Sequence, residues 1–377
     1  MKNKAKNSVN CLNHQNNSNL QNGEKNSKIS KTIVFAGGGT AGHITPFMAV
    51  APYLKKRGVK IVYIGSGKPL EKNLMEQTGA VLREINPPKF IRGFSPAAFK
   101  NAALPFKFLK AVFKSKQILK EYKPAVVFSK GGYCALPVCY AAFSLGIPVV
   151  CHESDLTVGL ANKLTLKKCD KFLTSFAPPA QKYGGECIGS PMREELFSVS
   201  KAAGLNYFGL PGGKPVLFIT GGSQGSKILN DAVRKNLPRL TKRFSVLHAA
   251  GKGNKCGYKP VNGYFEFEFV SMPHALAAAD YCVTRGGSNT LFEVLCAKKP
   301  AVCVPLKRGS RGDQIKNAEY FSSRGALVSA DETDLVNTLP DLLSDLIKNE
   351  RKIKKNINAL NVKNGSGRLA EILLSYF

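Results

Sequence analysis

Short apolar runs alternate with helical patterns along almost the whole chain, which predicts buried parallel strands covered by helices on both faces. The predicted strands of the first half are TIVFA (32–36), KIVYIG (60–65), AVVFS (125–129), PVVCHES (148–154) and KFLTSF (171–176). Those of the second half are PVLFITGG (215–222), SVLHAAG (245–251), FEFEFV (265–270), DYCVTRGG (280–287), PAVCVPL (300–306) and ALVSA (326–330). The predicted fold class is therefore α/β.

Each half begins with a strand, a glycine-rich turn and a helix, and the two turns lie about 184 residues apart, from Gly37 to Gly221. We therefore expect two Rossmann-like parallel-sheet domains that face each other across a cleft. The predicted parts are a disordered polar tail (1–31), a first domain (32–190), a linker (191–214), a second domain (215–362) and a C-terminal helix that crosses back to the first domain (363–377).

The longest uncharged run, GGYCALPVCYAAFSLGIPVVC over 131–151, is long enough to suggest a transmembrane helix. Three residues in it, Pro137, Gly146 and Pro148, argue against a span. They are expected to divide the run into a loop, a helix of about ten residues and a buried strand.

The first glycine turn contains Gly37, Gly39 and Gly42, which satisfy the G-x-G-x-x-G pattern of dinucleotide-binding loops. A dinucleotide site also needs a carboxylate at the end of the second strand, where it binds the ribose. That strand ends in GSGK, residues 65–68, so the sequence argues against an NAD site.

Four turns of the strand–Gly–Gly–helix type recur: AGGGTAGH (36–43), SKGGYCALP (129–137), TGGSQGSKILN (220–230) and TRGGSNTLFE (284–293). Glycine lets backbone N–H groups approach a phosphate, and a helix N-terminus adds partial positive charge. Because both halves contain such turns, we predict a cleft that binds phosphates from both sides.

The charge balance points to an acidic partner. The 377 residues include 55 Lys and Arg against 25 Asp and Glu, a net charge of +30. Nucleic acid, an anionic membrane surface or a phosphorylated substrate would each suit such an excess, and so would a codon bias towards Lys and Asn. The 10 Cys show no C-x-x-C pair and no zinc spacing, which is typical of reduced thiols in a cytosolic protein.

Seven motifs follow one another in the order and spacing of the MurG family: GGGTAGHITP, SKGGYCALP, HESDLTVGLANK, IGSPMREEL, ITGGSQGSKILN, TRGGSNTLFEVL and RGDQIKNAEYF. From residue 32 onwards the chain resembles these enzymes of peptidoglycan synthesis. They transfer N-acetylglucosamine (GlcNAc) from UDP-GlcNAc to the C4 hydroxyl of N-acetylmuramic acid (MurNAc) in lipid I, the undecaprenyl-pyrophosphoryl-MurNAc-pentapeptide, and so make lipid II. The resemblance implies a GT-B fold, inversion at the anomeric carbon and a peripheral location on the cytoplasmic face of the cell membrane.

The resemblance also implies two sets of binding residues. The donor UDP-GlcNAc is expected to contact Thr40, Ala41, Gly42, Asp155, Arg193, Ser223, Gln224, Val270, Ser288, Asn289, Thr290, Leu291, Glu293, Gln314 and Asn317. The acceptor pyrophosphate is expected to contact Gly38, Gly39, Lys130, Gly131, Gly132, Tyr133 and Asn162. Two departures stand out: the second turn reads SKGG where many members have Gly-x-Gly-Gly, and Asp155 stands where many have Asn.

Physical arguments support several donor roles. A hydroxyl with neighbouring amides, as at Ser223 and Gln224, suits a UDP phosphate, and Arg193 supplies a fixed positive charge. Glu293 lies about one and a half turns into a predicted helix, where its carboxylate can accept hydrogen bonds from both ribose hydroxyls. For Val270 the expectation comes from the resemblance, which implies that its backbone contacts the uracil edge.

A helix in RGDQIKNAEYF brings two further donor candidates together. Gln314 and Asn317 are three residues apart, so they share one face of that helix and could reach the sugar hydroxyls.

An inverting transfer needs a base for the attacking hydroxyl and support for the departing pyrophosphate. By resemblance His43 is the favoured base, and Glu153, at the end of a predicted strand, is the second candidate. His248 is predicted to be packed or capping, and His274 to lie at the start of a short helix. The sequence has no D-x-D motif, so we expect helix N-termini, hydroxyls and cations to support the pyrophosphate with no metal or other cofactor.

Residues 89–123, KFIRGFSPAAFKNAALPFKFLKAVFKSKQILKEYK, contain nine Lys and Arg against one acidic residue, Glu121. Aromatic and aliphatic side chains interleave with these charges, as in surfaces that bind anionic lipid. We therefore expect this stretch to bind an anionic membrane surface, although part of it must pack on the sheet as an ordinary amphipathic helix.

Other classes of protein remain as alternatives at this stage. Another GT-B enzyme, such as a glycolipid synthase or a UDP-GlcNAc 2-epimerase, would share many of these features. A basic nucleic-acid-binding protein would explain the charge, but no RNA- or DNA-binding motif appears, so no nucleic-acid partner is expected. An NAD-dependent dehydrogenase is disfavoured by the missing ribose carboxylate.

Overall fold

The computed structural model describes residues 31–38, 41–87, 104–256, 261–307 and 311–377, excepting the side chains of Ala41, His43 and Leu70. The predicted polar tail lies outside these residues apart from Lys31. The first part of the predicted membrane-binding stretch, up to residue 103, also lies largely outside them.

The first half of the described chain forms a parallel sheet. Its strands are β1 (Thr32–Ala36), β2 (Lys60–Gly65), β3 (Val81–Glu84), β4 (Val126–Ser129), β5 (Val149–Glu153), β6 (Lys171–Thr174) and β7 (Glu186–Cys187). Its helices are α1 (Ala41–Lys55), α2 (Pro69–Thr78), α3 (Leu104–Tyr122), α4 (Gly132–Ser144), α5 (Leu160–Thr165) and α6 (Ala177–Tyr183). The strands pair in parallel in the order β3-β2-β1-β4-β5-β6-β7. We call this sheet and its helices the N-lobe.

The second half forms another parallel sheet, which with its helices we call the C-lobe. Its strands are β8 (Val216–Thr220), β9 (Ser245–Ala249), β10 (Tyr264–Phe267), β11 (Tyr281–Thr284), β12 (Ala301–Cys303) and β13 (Val328–Ser329). The helices from residue 201 onwards are α7 (Lys201–Phe208), α8 (Lys227–Lys235), α9 (Leu237–Arg243), α10 (Met272–Ala278), α11 (Ser288–Cys296), α12 (Asp313–Ser322), α13 (Leu335–Lys348), α14 (Glu350–Leu360) and α15 (Ser366–Leu374). The strand order is β10-β9-β8-β11-β12-β13, again all parallel.

The alternating directions of the side chains along β1 show why helices cover both faces of the N-lobe sheet. Ile33 and Phe35 enter one apolar cluster and Val34 and Ala36 another, because successive side chains of a strand point to opposite faces. All four are buried, so neither face of this strand meets water. The continuous apolar run in the sequence is the direct consequence of this double burial.

The topology brings the four glycine turns together in pairs. β1 lies beside β4, and β8 lies beside β11, so the turns that follow these strands leave neighbouring positions at the carboxyl edge of each sheet. In each lobe the chain order reverses between these two strands, which is where open parallel sheets bind ligands. The prediction of two Rossmann-like parallel-sheet lobes is confirmed.

Two strands and one helix start differ from the sequence predictions. β3 and β7 were not predicted, because β3 is a half-exposed strand at the sheet edge and β7 has only 2 residues. The helix expected to follow Pro137 begins at Gly132 and continues through this proline. Gly131, with φ of 80°, lets the chain turn directly into α4. Burial of Ala135, Val138 and Cys139 offsets the hydrogen bond that the proline cannot make.

The predicted linker and C-terminal helix are both ordered elements that pack on a lobe. The 191–214 stretch contains a short 3-10 helix (Glu194–Phe197) and α7, which packs against α10 and adds Phe208 to the C-lobe core. α15 packs against α1, where Leu369 and Leu373 are fully buried in an N-lobe cluster. Among the described residues, no helix combines the length and the apolar character that crossing a bilayer requires.

Candidate active site

A cavity of about 830 Å³ is lined by residues from both lobes. The N-lobe contributes Gly42, Thr45 and Met48 of α1 and the loop residue Asp155. Three of the four predicted phosphate turns reach it: Gly42 belongs to the first, Ser223 to the third, and 287–290 to the fourth. The glycines of the second turn do not line this cavity, so their acceptor role stays a prediction.

The N-terminus of α11 forms one wall of the cavity. Gly287 caps the helix, and Ser288, Asn289 and Thr290 of its first turn all line the space. The first N–H groups of a helix have no acceptor within it, and the helix dipole adds partial positive charge there. Leu291 differs from the expectation: its N–H already donates to the Gly287 carbonyl at 3.0 Å and its side chain lies in the core.

Glu293 lies one helical turn further along α11 and also lines the cavity. Burial raises the pKa of its carboxyl to about 7, and the positive charge of Arg193 opposes this rise. Arg193 lines the same cavity. The pair therefore places a carboxylate and a guanidinium, both predicted from the sequence, on one wall.

The third glycine turn is arranged differently from the prediction. α8 begins only at Lys227, and its cap is Ser226, whose hydroxyl accepts the Leu229 N–H at 3.3 Å. Ser223 lines the cavity from the preceding turn, not from the helix N-terminus. The Gln224 carbonyl accepts a hydrogen bond from the Asn254 side-chain amide at 3.1 Å, and Gln224 is exposed and does not line the cavity.

The connection from β10 to α10 supplies an apolar wall. Phe269, Val270 and Met272 line the cavity there, and Phe269 is exposed. The backbone contact between Val270 and uracil stays a prediction.

Helix α12 separates two residues that the sequence placed together. Gln314 lines the cavity, and its side-chain oxygen accepts the Leu306 N–H at 3.0 Å. Asn317 is fully buried instead, and its side-chain oxygen accepts the Leu156 N–H of the N-lobe at 2.9 Å. The expectation that Asn317 reaches a sugar hydroxyl is therefore wrong, because its amide is already bonded within the protein.

Glu153 closes the loop that follows β5. One carboxylate oxygen accepts the Asp155 N–H at 3.1 Å, and the other accepts the Gly159 N–H at 2.8 Å and the Asn162 amide at 2.9 Å. Burial raises the pKa of this carboxyl, while these donors lower it. The three bonds explain the burial of Glu153 as a structural group.

The second glycine turn packs on the buried side-chain amide of Asn162 and itself contains a buried lysine, Lys130. A Cβ on Gly131 would lie 2.9 Å from the Asn162 side-chain oxygen, so only glycine fits. Lys130 is buried, with its ammonium 2.5 Å from His152 Nδ1. Burial lowers the Lys130 pKa to about 7, so its charge is only partly present at neutral pH. Tyr133, half-buried, has its phenol pKa raised to about 12 by burial.

Glu71, in the first turn of α2, is a buried carboxylate that sequence reasoning missed. Its two oxygens accept the Ser66 hydroxyl at 2.7 Å and the Gly67 N–H at 2.8 Å. A Cβ on Gly38, where φ is 137°, would lie 2.5 Å from Glu71 Oε1. A dinucleotide site needs a carboxylate at the end of β2. The structure places one six residues later, bonded to the β2–α2 turn and packed against Gly38 of the first glycine turn.

The remaining predicted residues of the first turn are only partly described. Gly39 and Thr40 lie outside the described residues, as do the side chains of Ala41 and His43. The backbone of residue 43 lies in the first turn of α1, beside Gly42 of the cavity wall.

His248 and His274 have structural contacts. His248 is buried between Tyr264 and Asn230 and so is packed, as predicted. His274 lies in the first turn of the short helix α10, also as predicted. Within the part of the chain that the structure describes, no group of three His, Cys, Asp or Glu side chains is placed to hold a metal ion.

Family models and solved structures match this arrangement. Residues 33–174 match the glycosyltransferase family 28 N-terminal domain and residues 216–370 its C-terminal domain. The crystal structure of Acinetobacter baumannii MurG superposes with a TM-score of 0.73 at 23% identity, covering 92% of this chain and 99% of that one. The crystal structure of the glycosyltransferase of kitacinnamycin superposes with a TM-score of 0.71 at 16% identity, covering 92% of this chain and 99% of that one. Fold and cavity thus define a glycosyltransferase with the GT-B fold.

Curated relatives specify the family further. A protein of Clostridium tetani is 39% identical over 93% of this chain and 99% of its own length, and one of Clostridium botulinum is 42% identical over 91% and 97%. Both are named UDP-N-acetylglucosamine–N-acetylmuramyl-(pentapeptide) pyrophosphoryl-undecaprenol N-acetylglucosamine transferase. The chain belongs to the MurG family of N-acetylglucosamine transferases.

Proposed function

We propose that this protein transfers GlcNAc from UDP-GlcNAc to the C4 hydroxyl of MurNAc in lipid I, giving lipid II and UDP with inversion at the anomeric carbon. The names of relatives at 39% and 42% identity support this reaction. The structural observation that carries it is the cavity shared by both lobes. The α11 N-terminus and the Glu293 carboxylate of the C-lobe line this cavity together with Gly42 of the N-lobe.

The C-lobe residues of the cavity suit the donor. The ribose hydroxyls donate to Glu293, and the pyrophosphate lies at the first N–H groups of α11, near the Ser223 hydroxyl. In the transfer step the acceptor O4 forms a bond to the GlcNAc C1, and the bond from C1 to the pyrophosphate oxygen breaks, with its electron pair leaving on UDP. The α11 dipole and the charge of Arg193 stabilise the negative charge that develops on the leaving group.

We assign the proton of the acceptor hydroxyl to His43 as general base. Its backbone lies in the first turn of α1, directly after Gly42 of the cavity wall. Neutral imidazole near pH 7 suits this role. Glu153 is the alternative base, but its two oxygens already accept three N–H donors, which supports a structural role for it.

The transfer is tested by incubating the purified protein with radiolabelled UDP-GlcNAc and a short-chain lipid I analogue in EDTA. Label is expected to enter the lipid fraction only when the acceptor is present, in equal amount to released UDP and in β linkage. Conversion of UDP-GlcNAc without acceptor would indicate a 2-epimerase. Label in a diacylglycerol acceptor alone would indicate a glycolipid synthase. Either result contradicts the proposal.

The outer face of α3 suits a membrane surface. Phe106, Leu109 and Phe113 follow one another on one face of this helix and are 78%, 53% and 67% exposed. A lysine directly follows each of these apolar residues in the sequence, namely Lys107, Lys110 and Lys114. The opposite face packs against α4, which begins in the second glycine turn. We propose that α3 binds anionic lipid on the cytoplasmic face and so brings that turn to the lipid-linked acceptor.

Replacing Phe106, Leu109 and Phe113 together by Ser is expected to weaken binding to phosphatidylglycerol vesicles at least tenfold, since each apolar side chain contributes about 1.5–3 kcal/mol when buried. Vesicle co-sedimentation measures this binding. Tyr207→Ser, which removes a comparably exposed aromatic from α7, should leave it unchanged. Equal loss in both variants, or binding that is insensitive to salt, would contradict the assignment to α3.

A further inference from the structure

The loop from Ser154 to Gly159 joins the two lobes at the cavity. It follows β5 in the N-lobe, and Asp155 within it lines the cavity. On the N-lobe side Glu153 holds both ends of the loop, through the N–H groups of Asp155 and Gly159. The loop therefore keeps its shape within the N-lobe.

The C-lobe holds the same loop through one buried amide, that of Asn317 on α12. Its oxygen accepts the Leu156 N–H at 2.9 Å, and its nitrogen donates to Asp155 Oδ1 at 2.9 Å and to the Gly286 carbonyl at 3.2 Å. The Thr157 hydroxyl also donates to Asp313 Oδ1 at the start of α12. Asn317 is fully buried, so its amide is shielded from water, whereas Asp155 is partly exposed at the cavity.

The hydrogen bond to the Gly286 carbonyl extends this connection to the cavity wall that α11 forms. Gly286 lies in the turn before α11, and a Cβ there would lie 2.5 Å from the Gln314 carbonyl of α12. α11 carries Thr290 and Glu293, both on the cavity wall. The Asn317 amide thus joins the N-lobe loop, α12 and the turn that leads into the proposed donor site.

We infer that Asn317 is a positioning residue, which fixes Asp155 in the cavity wall by hydrogen bonding, and that Asp155 serves as its hydrogen-bond acceptor and not as a proton acceptor. The effect of this pair on GlcNAc transfer rests on the proposed function, whereas the hydrogen bond between Asn317 and Asp155 does not.

An amide and a carboxylate differ in what they can do at these positions. An amide at position 155 still offers an oxygen to the Asn317 nitrogen, so Asp155→Asn preserves the bond and removes only the charge. A carboxylate at position 317 cannot donate to Asp155 or to the Gly286 carbonyl, and it adds a like charge beside Asp155. The two substitutions therefore separate hydrogen bonding from charge.

The transfer assay is run on Asn317→Ala, Asp155→Ala, the double variant, Asp155→Asn and Asn317→Asp. The two alanine variants are each expected to raise KM for UDP-GlcNAc about tenfold, which is about 1.4 kcal/mol, with kcat changed much less. The double variant should be no worse than Asn317→Ala, because that variant already removes the bond to Asp155. Asp155→Asn should recover most of the donor affinity that Asp155→Ala loses, and Asn317→Asp should be at least as impaired in transfer as Asn317→Ala. Lys316→Ala, at an exposed position of α12, is the control and should be unchanged.

Hydrogen exchange at the Leu156 amide provides a readout without substrate. This N–H should exchange slowly in the wild type and in Asp155→Asn, and faster in Asn317→Ala, which removes its acceptor, while the β5 amides stay protected. Asn317→Asp keeps an oxygen acceptor for this N–H, so exchange there should be slower than in Asn317→Ala. An Asp155→Asn variant as inactive as Asp155→Ala, or additive losses in the double variant, would overturn the inference. If the wild type transfers no GlcNAc but the exchange pattern holds, the proposed function fails and the contact between the lobes stands.

Discussion

Glu293→Ala is expected to lower kcat/KM for UDP-GlcNAc by about two to four orders of magnitude. The substitution removes two hydrogen bonds from ribose hydroxyls to a carboxylate, each worth about 1.5–3 kcal/mol. Because the first turn of α11 stays intact, some affinity for the pyrophosphate should remain. Steady-state kinetics with varied UDP-GlcNAc, together with calorimetric binding of the donor, measures the loss. A loss below fivefold would show that Glu293 does not bind the ribose.

Glu293→Gln separates the charge of this side chain from its shape. Burial raises the Glu293 pKa to about 7, so the carboxyl is largely protonated at pH 6 and ionised at pH 8. The ionised form is the stronger acceptor, so wild-type affinity for UDP-GlcNAc should rise between these values, and that of E293Q should not. Since the pKa is raised on folding, wild-type stability relative to E293Q should fall as pH rises from 4.5 to about 7.

Glu71→Ala is expected to destabilise the N-lobe by about 1–3 kcal/mol, because it leaves the part-buried N–H of Gly67 and hydroxyl of Ser66 without this acceptor. Gly38→Ala should be at least as damaging, since φ there is 137° and the new Cβ would lie 2.5 Å from Glu71 Oε1. Both changes act where Glu71 packs against Gly38, which precedes α1 and its cavity residue Gly42, so transfer activity should fall with stability. Urea-induced unfolding measures the free energies.

Two comparisons make this result specific. Glu76→Ala removes an exposed carboxylate from the same helix and should change stability by less than about 0.5 kcal/mol. In the Glu71→Ala background the cost of Gly38→Ala should shrink, because the clash disappears and only the backbone strain remains. Equal costs of Gly38→Ala in both backgrounds would show that the carboxylate does not hold the turn.

Most of the architecture could be predicted because it depends on double burial. A strand such as β1, buried on both faces, requires a continuous apolar run, and helices between such runs require parallel crossovers. β3 and β7 escaped prediction because edge strands are half-exposed or very short and so leave little apolar signal. Pro137 misled the prediction of α4, because local propensity yields to packing when the rest of a helix is buried.

The site residues divide in the same way. Ser288, Thr290 and Glu293 were predictable because a glycine turn and the helix after it fix their positions within a few residues of chain. The sequence predicted that Asn317 and Glu153 act on the substrate. In the structure their side chains make hydrogen bonds within the protein instead. The Leu156 partner of Asn317 lies 161 residues away, and no local pattern reports such a pairing. The partners of Glu153 lie within nine residues of it, but only the folded loop shows that they meet its carboxylate.

The sequence by itself determined the α/β class, the two-lobed repeat, the four glycine turns and the resemblance to the MurG family. These features follow from periodicity and from short motifs, which local chain geometry enforces. Only the tertiary structure decided which turns share the cavity, that Glu71 packs against Gly38 of the first turn, and that the Asn317 amide joins the lobes. Those outcomes depend on which buried polar groups meet across distant segments, because each buried donor must find an acceptor in the folded protein.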